Sequence, residues 1–373
     1  MLFVEFMIME ELIREAEKVL PVSFEAAEEY EKHKDLMLNF VNTKMSKRKD
    51  IFSLIGGNSL QMMFDNHRHH VNFMINVFKF SMFELFVKMV PWVYRSYHNH
   101  GFTYDYFLVE LETWKKAIKK FLSKPSSDEI MKTYDWLIEK HEKMIDLSKD
   151  EAVFTIKLEG KWEEKKNQFL YYILEGDFEK ALKFTKKIVK RPEDLQDFYL
   201  NIIQPALYDV GNLWEQGKIS VAEEHLATSI VGRIIANLYL LFSKTQKSKL
   251  KAIVTATPNE FHELGCRMVA DFLEMDGWDV LYLGANVPEE ELINIVKKTK
   301  PKLLAISVTM PFNITKAQRI IESLKTLGDH VPKIMVGGIA FNLMPDLYKK
   351  IGADFWAKDA KEAVEVARKI KTL

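Results

Sequence analysis

Cysteine is nearly missing: Cys266 stands alone among 373 residues. That excludes an internal disulfide framework and any metal site built from several thiolates. It also suits a reducing, cytoplasmic setting. No uninterrupted apolar run approaches the roughly 18 residues needed to cross a bilayer, so no membrane span is expected. Neither sign of charge is in excess. The 53 Lys and Arg balance 53 Asp and Glu, which argues against a strongly basic nucleic-acid binder. Fixed-period repeats and low-complexity tracts are absent as well. The opening segment MLFVEFMIMEELIREAEKVL carries Glu5, Glu10 and Glu11 and lacks a basic leader. It reads as a buried or partner-packing helix, not a secretory signal. What remains is 47% hydrophobic and 28% charged, enough for two or three domains, each with a core.

Periodicity divides the chain into three. Residues 1–160 read as an all-helical domain, with apolar residues three and four apart, as in Phe73, Val77, Phe80, Phe83 and Val87. Breaks fall at Gly56-Gly57, at Asn99-His100-Gly101, and at Lys124 to Glu129, read as a turn and a helix start. Residues 161–248 read as a small four-helix bundle, jointed at Gly176-Asp177, Arg191-Pro192 and Gly217-Lys218. It ends in a polar linker, Ser243 to Lys249. In 249–373 the period changes. Five strands are expected at Lys251–Thr257, Trp278–Leu283, Lys302–Val308, Lys333–Val336 and Asp354–Ala357, alternating with helices. The fold class expected is α/β plus all-α: a C-terminal Rossmann-like, five-stranded parallel sheet, preceded by the bundle and the N-terminal helical domain.

Ligands of open α/β sheets bind beyond the carboxyl ends of the strands. The loops there hold Thr257 to Gly265, Gly284 to Pro288, Ser307 to Pro311, and Gly337-Gly338. One rim thus gathers an imidazole, two hydroxyls and paired glycines. Taken singly, each has an ordinary reading: a surface histidine, a common dipeptide pattern, a turn. A G-x-G-x-x-G fingerprint does not follow the first strand, so the usual dinucleotide site is missing. Together the residues resemble the cobalamin-binding domain of methionine synthase, corrinoid methyl-transfer proteins and cobalamin mutases. That family's pattern is Asp-x-His-x-x-Gly, then Ser-x-Leu or Ser-x-Thr, then Gly-Gly. Here it stands as Glu260-Phe261-His262-Glu263-Leu264-Gly265, Ser307-Val308-Thr309 and Gly337-Gly338.

The resemblance implies cobalamin as cofactor, with its dimethylbenzimidazole displaced and His262 as the lower axial ligand of cobalt, the one metal ligand. Gly337 and Gly338 would leave room for the detached nucleotide tail. Ser307 would hydrogen-bond the benzimidazole, with Thr309 nearby, and Gly265 closes the first motif. Neutral imidazole suits cobalt, and its second nitrogen needs an acceptor. The family uses Asp for that; here the residue is Glu260, one methylene longer.

The bundle adds a second resemblance. Pro205 to Trp214, followed by Gly217 to Thr228, is similar to the helical cap of cobalamin-dependent light sensors of the MerR-type repressor group. What it implies is an upper-face pocket of Trp214, Val221, Glu224 and His225. An aromatic plane and a carboxylate suit an adenosyl ligand. Trp214 and Val221 also have a plain reading as bundle core. In the sensors a His follows the Trp; here it is Glu215, and no MerR-type DNA-binding helix-turn-helix stands at the front. Residues 65–94 resemble a helical module found ahead of cobalamin-binding domains in bacterial sensor-like proteins. Within it, His67, His69 and His70 invite a metal reading, but no Glu-x-x-His or His-x-x-x-His pair accompanies them. The ordinary reading is a helix start capped by Asp65 or Asn66. The aromatic-rich stretch Phe78 to Phe107 reads as core or a dimer seam. Cys266, at a helix start, reads as a small packed residue with no catalytic part.

Two functions follow. The first is a non-enzymatic sensor that holds adenosylcobalamin between cap and sheet and signals through a protein partner or self-association of the N-terminal domain. The alternative is a corrinoid carrier, with methylcobalamin, serving a separate methyltransferase. A mutase is disfavoured, because no barrel-sized substrate domain remains. A third reading keeps the fold without the cofactor.

Overall fold

The computed structural model describes residues 2–149, 156, 158, 160–241, 249–328 and 331–372, with side chains from Met7 onward. The expected polar linker, apart from Lys249, lies outside the described residues. Two compact units emerge: Met1–Val153 with Glu215–Gly217, and Phe154–Trp214 with Lys218–Leu373.

The first unit is helical throughout its described residues. Its main helices are Leu2–Val19, Phe24–Lys32, Lys34–Ser46, Leu60–Phe80, Phe83–Asn99, Tyr104–Phe121 and Lys124–Glu139. Two of these starts follow the capping chemistry of short hydroxyls. Ser23 Oγ accepts from the Ala26 amide at 3.2 Å, and Ser59 Oγ from the Met62 amide at 3.3 Å. Two expectations shift here. The helix holding the histidines starts at Leu60 under the Ser59 cap, so Asp65 and Asn66 are interior. The expected turn at Lys124–Glu129 is already helix, with Pro125 in the first turn, where its missing N–H costs nothing. Gly56 does mark a tight joint: its φ is +60°, and a Cβ there would lie 2.0 Å from the Gly101 carbonyl oxygen. Tyr30, Tyr106, Trp114 and Tyr134 lie at the centre of this unit's own core.

The second unit starts with helices Lys161–Leu174, Phe178–Ile188 and Pro192–Phe198. The last of these runs through a widened turn, Tyr199–Ile203, into Gln204–Glu215. Pro205 explains the widening, since it lacks an amide proton and crowds the carbonyl four residues back. After the Gly217 joint, Val221–Leu238 starts with a capping box between Ser220 and Glu223.

Five strands follow: β1 (Lys251–Ala256), β2 (Asp279–Gly284), β3 (Leu303–Ser307), β4 (Lys333–Gly337) and β5 (Phe355–Ala357). Each falls within a residue or so of its expected place. All neighbours pair in parallel, in the order β2-β1-β3-β4-β5. β1 and β3 are central and almost wholly buried, as strands covered on both faces must be. Bundle and sheet share one hydrophobic core, in which Phe198, Ile230 and Ile234 join Val254, Phe272 and Trp278. Strand order reverses between β1 and β3, and the crevice at such a switch point is where this architecture binds ligands.

Candidate functional site

The segment leaving β1 turns sharply at Asn259, whose φ is +60°. The Asn286 side-chain oxygen accepts from its amide at 2.8 Å. Glu260 then points inward and is fully buried. Its Oε2 accepts from the backbone amides of Thr309 at 3.0 Å and Met310 at 2.9 Å, and from Asn313 Nδ2 at 3.2 Å. Its Oε1 lies 2.5 Å from His262 Nδ1. The loop after β3 thus fixes a carboxylate, and the carboxylate fixes an imidazole. Burial alone would raise the Glu260 pKa, but the His262 contact, the Met310 amide and Asn313 outweigh it and hold it below the usual carboxylate range. Desolvation would lower His262, yet the hydrogen bond and charge of Glu260, with the charge of Glu224, hold it above the usual imidazole range.

The His262 side chain is 59% exposed. With Nδ1 engaged, Nε2 makes no hydrogen bond among the described residues. One imidazole nitrogen fixed by a carboxylate and the other presented outward is the arrangement of a metal-ligating histidine with its outer-shell partner. The extra methylene of Glu260 therefore does not cost the contact, and the carboxylate meets the loop after β3 and the imidazole together.

The remaining rim residues divide. Ser307 and Thr309 are partly buried, and neither hydroxyl bonds another described residue. Thr257 Oγ1, wholly buried at the end of β1, has no protein partner. A Cβ on Gly265 would meet nothing within 4 Å, so open space lies over this helix start. Gly337 and Gly338 behave otherwise. A Cβ on Gly337 would come 2.9 Å from the Ala357 carbonyl, and one on Gly338, at φ +96°, 2.4 Å from the Val308 carbonyl. The chain's own backbone already demands both glycines, whatever lies beside them.

On the bundle, Trp214 is partly buried near the end of its helix. Val221 is 52% exposed, which removes the plain reading as core. Glu224 bonds the Thr228 hydroxyl at 2.8 Å and the His225 ring. Its negative charge helps to hold the His262 ring's proton affinity up. His225 is exposed. Glu215, which follows Trp214, is buried and paired with Arg95 at 2.5 Å.

Sequence reading missed several residues here. Asn313, Met310 and Asn286 act through loop geometry, which no local pattern announces. Phe261, 71% exposed beside His262, could have been noticed as an apolar residue inside the motif. The other candidates resolve plainly. His67 lies between Asn42 and Tyr106, at 2.7 and 3.1 Å, and His70 meets Tyr134 at 3.0 Å. Burial, helped at His67 by the neighbouring His70, pushes both imidazoles down to about 3. Among the described residues, no group of three or more His, Cys, Asp or Glu is placed to hold a metal. Burial pushes the Cys266 thiol up to about 12, as expected of a packed residue. No helix among the described residues is long and apolar enough to cross a membrane.

The residue set fits a corrinoid: one outward imidazole with its carboxylate, open space over Gly265 and the buried, unpartnered Thr257 hydroxyl. Comparison with known proteins agrees. Residues 250–365 match a family model described as a B12 binding domain, and residues 166–239 match a second model of the same description. A dimethylamine corrinoid protein of Methanosarcina barkeri is 32% identical over 167 residues, 43% of this chain and 76% of that protein. Dimethylamine corrinoid protein 1 of Methanosarcina mazei is 28% identical over 194 residues, 51% of this chain and 87% of that protein. In structure, the monomethylamine corrinoid protein of Methanosarcina barkeri superposes with a TM-score of 0.50 at 20% identity, covering 57% of this chain and 99% of that one.

Proposed function

The chain belongs to the B12-binding family of corrinoid proteins, and from that premise we propose that it is the corrinoid carrier of a methyltransferase system. The observation that carries this reading is the buried Glu260 holding His262 Nδ1, with Nε2 turned outward at the β1/β3 crevice. The relatives favour a carrier over a light-responsive sensor, since the two described above are dimethylamine corrinoid proteins. By the same reasoning the methyl form of the cofactor replaces the adenosyl form as the favoured one.

When bound, a corrinoid would supply a cobalt centre able to carry a methyl group. The chain's own residues bind, orient and tune. His262 would be the residue that holds the cobalt, through Nε2. Glu260 fixes its tautomer and direction, and the Thr309 and Met310 amides with Asn313 keep that carboxylate ionised and still. Ser307, Thr309 and Thr257 would offer hydroxyls to the corrinoid's polar groups, and the open space over Gly265 would leave it room. Trp214, Val221, Glu224 and His225 would bound the corrinoid from the helical bundle, and the exposure of Val221 and His225 would leave room for a partner enzyme.

The test begins with protein labelled with 15N-histidine and loaded with hydroxocobalamin, then reduced to the cobalt(II) state. Its electron paramagnetic resonance spectrum is expected to show superhyperfine splitting from one 15N nucleus. His262→Ala is expected to lose that splitting while keeping its fold. Retention of the splitting in that variant would remove the ligand assignment. Equal retention of methyl- and hydroxocobalamin after desalting, with no preference for adenosylcobalamin and no response to green light, is expected of the carrier. Selective, light-responsive adenosylcobalamin binding would return the sensor.

A further inference from the structure

A polar chain crosses the otherwise apolar seam between the helical cap and the sheet. Tyr199, in the widened turn of the cap, donates from Oη to Asp271 Oδ2 at 2.8 Å. Asp271 lies on the helix Leu264–Met275, 2% exposed. Its Oδ1 accepts from Arg267 Nε at 3.1 Å. The Arg267 guanidinium lies near two aromatic rings, 5.5 Å from Tyr239 at the end of the cap and 5.1 Å from Tyr282 on β2. Tyr282 Oη in turn donates to the Glu263 carbonyl at 3.2 Å. That carbonyl belongs to the residue directly after His262, and it also accepts from the Arg267 amide at 2.9 Å. The chain of contacts therefore starts in the cap and ends on the residue after the histidine.

Packing alone does not call for this. The surrounding seam is apolar, and Tyr199 stacks on Phe272 with ring centroids 6.0 Å apart. A buried carboxylate in such a place is costly unless fully paired, and a hydrophobic residue of similar volume would serve stability as well or better. Burial indeed pushes Asp271 up to about 6 in spite of Arg267 and Tyr199. What a polar chain supplies that an apolar contact does not is direction: its hydrogen bonds hold in one arrangement of cap and loop and break in others.

We propose that Tyr199, Asp271, Arg267 and Tyr282 are positioning residues that couple the cap to the His262 loop, so that the lower-ligand loop and the upper-face cap order together when a corrinoid binds. The proposal rests on the reading of His262 as cobalt ligand. None of the four touches the cofactor in this role.

The test is amide hydrogen exchange of the whole chain, without and with hydroxocobalamin, in wild type, Tyr199→Phe and Asp271→Asn. Wild type is expected to gain protection in two places on binding: residues 257–265 and residues 195–203. In both variants the loop is expected to keep its gain. The gain in the cap is expected to fall about tenfold, as loss of one hydrogen bond to a charged group implies. Tyr199→Phe removes a single oxygen and leaves the ring stack, so it answers the question even where Asp271→Asn folds poorly. Undiminished cap protection in Tyr199→Phe would overturn the coupling. His262→Ala, run alongside, separates the two readings: if it binds corrinoid with unchanged loop protection, the ligand assignment falls and takes this proposal with it. If it loses loop protection while Tyr199→Phe keeps cap protection, only the coupling falls.

Discussion

A carboxylate buried beside an exposed imidazole is stable only if donors occupy both of its oxygens. Glu260 meets that condition with two backbone amides, one side-chain amide and the His262 ring. The neutral isostere tests what the charge does. Glu260→Gln can still accept from the Thr309 and Met310 amides through its oxygen. It then turns its NH2 toward His262 Nδ1 and withdraws the acceptor that fixes the tautomer. Corrinoid affinity is expected to fall about 10–100-fold, the usual cost of losing an outer-shell partner. Titration of the apoprotein followed by absorbance measures it. An unchanged dissociation constant would show that the carboxylate does not orient the ligand.

At the level of elements, the glycines of the rim look alike in sequence and differ in structure. Gly338 has a positive φ and its absent Cβ would sit 2.4 Å from the Val308 carbonyl, whereas the space over Gly265 is open and its helix is regular. Gly338→Ala is therefore expected to destabilise the apoprotein by about 2 kcal/mol or more, from strain and contact together. Gly265→Ala is expected to leave it unchanged or up to about 1 kcal/mol more stable, by the gain in helix propensity. Only Gly265→Ala then reports on the cradle, through weaker corrinoid binding at intact stability. Urea unfolding of both variants, paired with the same titration, checks this. If the two behave alike, the distinction is wrong. The contrast also shows how far the sequence can be read. Strand–helix alternation is a local pattern, and the five strands of 249–373 were legible from it. So were Glu260, His262 and Gly265, which fall within six consecutive residues. Asn313 and the Met310 amide were not, because they reach Glu260 only once β1 and β3 lie side by side. The glycine pair was found, but the reason for it was not, since the nearby Val308 and Ala357 carbonyls come from other strand ends.

Across the whole molecule, residues 1–153 of the first unit lie outside both matched family models, and the unit's buried polar core is its most informative feature. Glu110, on the helix Tyr104–Phe121, is 3% exposed and accepts from Trp114 Nε1 at 3.0 Å. With the Asn66 amide turned to donate, it reaches Glu110 at 3.2 Å and Tyr106 Oη at 2.9 Å. No cation joins the carboxyl in these contacts, so burial pushes it from 4.5 up to about 8, and at neutral pH it is mostly a neutral acid. The linkage then has a definite sign. The folded state prefers the protonated form, so Glu110's contribution is full below pH 4.5 and declines up to about pH 8 at about 1.4 kcal/mol per unit. His67 and His70 act in the opposite sense. Their folded pKa values are depressed from 6.5 to about 3, so their contribution is present above pH 6.5 and is lost as the pH falls. Between pH 4.5 and 6.5 the two histidines outweigh the one acid, and above 6.5 the acid acts alone among these three. The first unit is thus expected to be most stable near pH 6.5. Glu110→Gln keeps an oxygen for Trp114 and cannot ionise, so it should lose the alkaline decline. Its stability relative to wild type should rise by about 2 kcal/mol between pH 6.5 and 8. Urea unfolding of both proteins at a series of pH values reads that difference directly and cancels every titrating group they share. Parallel stability curves would mean that Glu110 is already ionised in the folded chain and has found a positive partner.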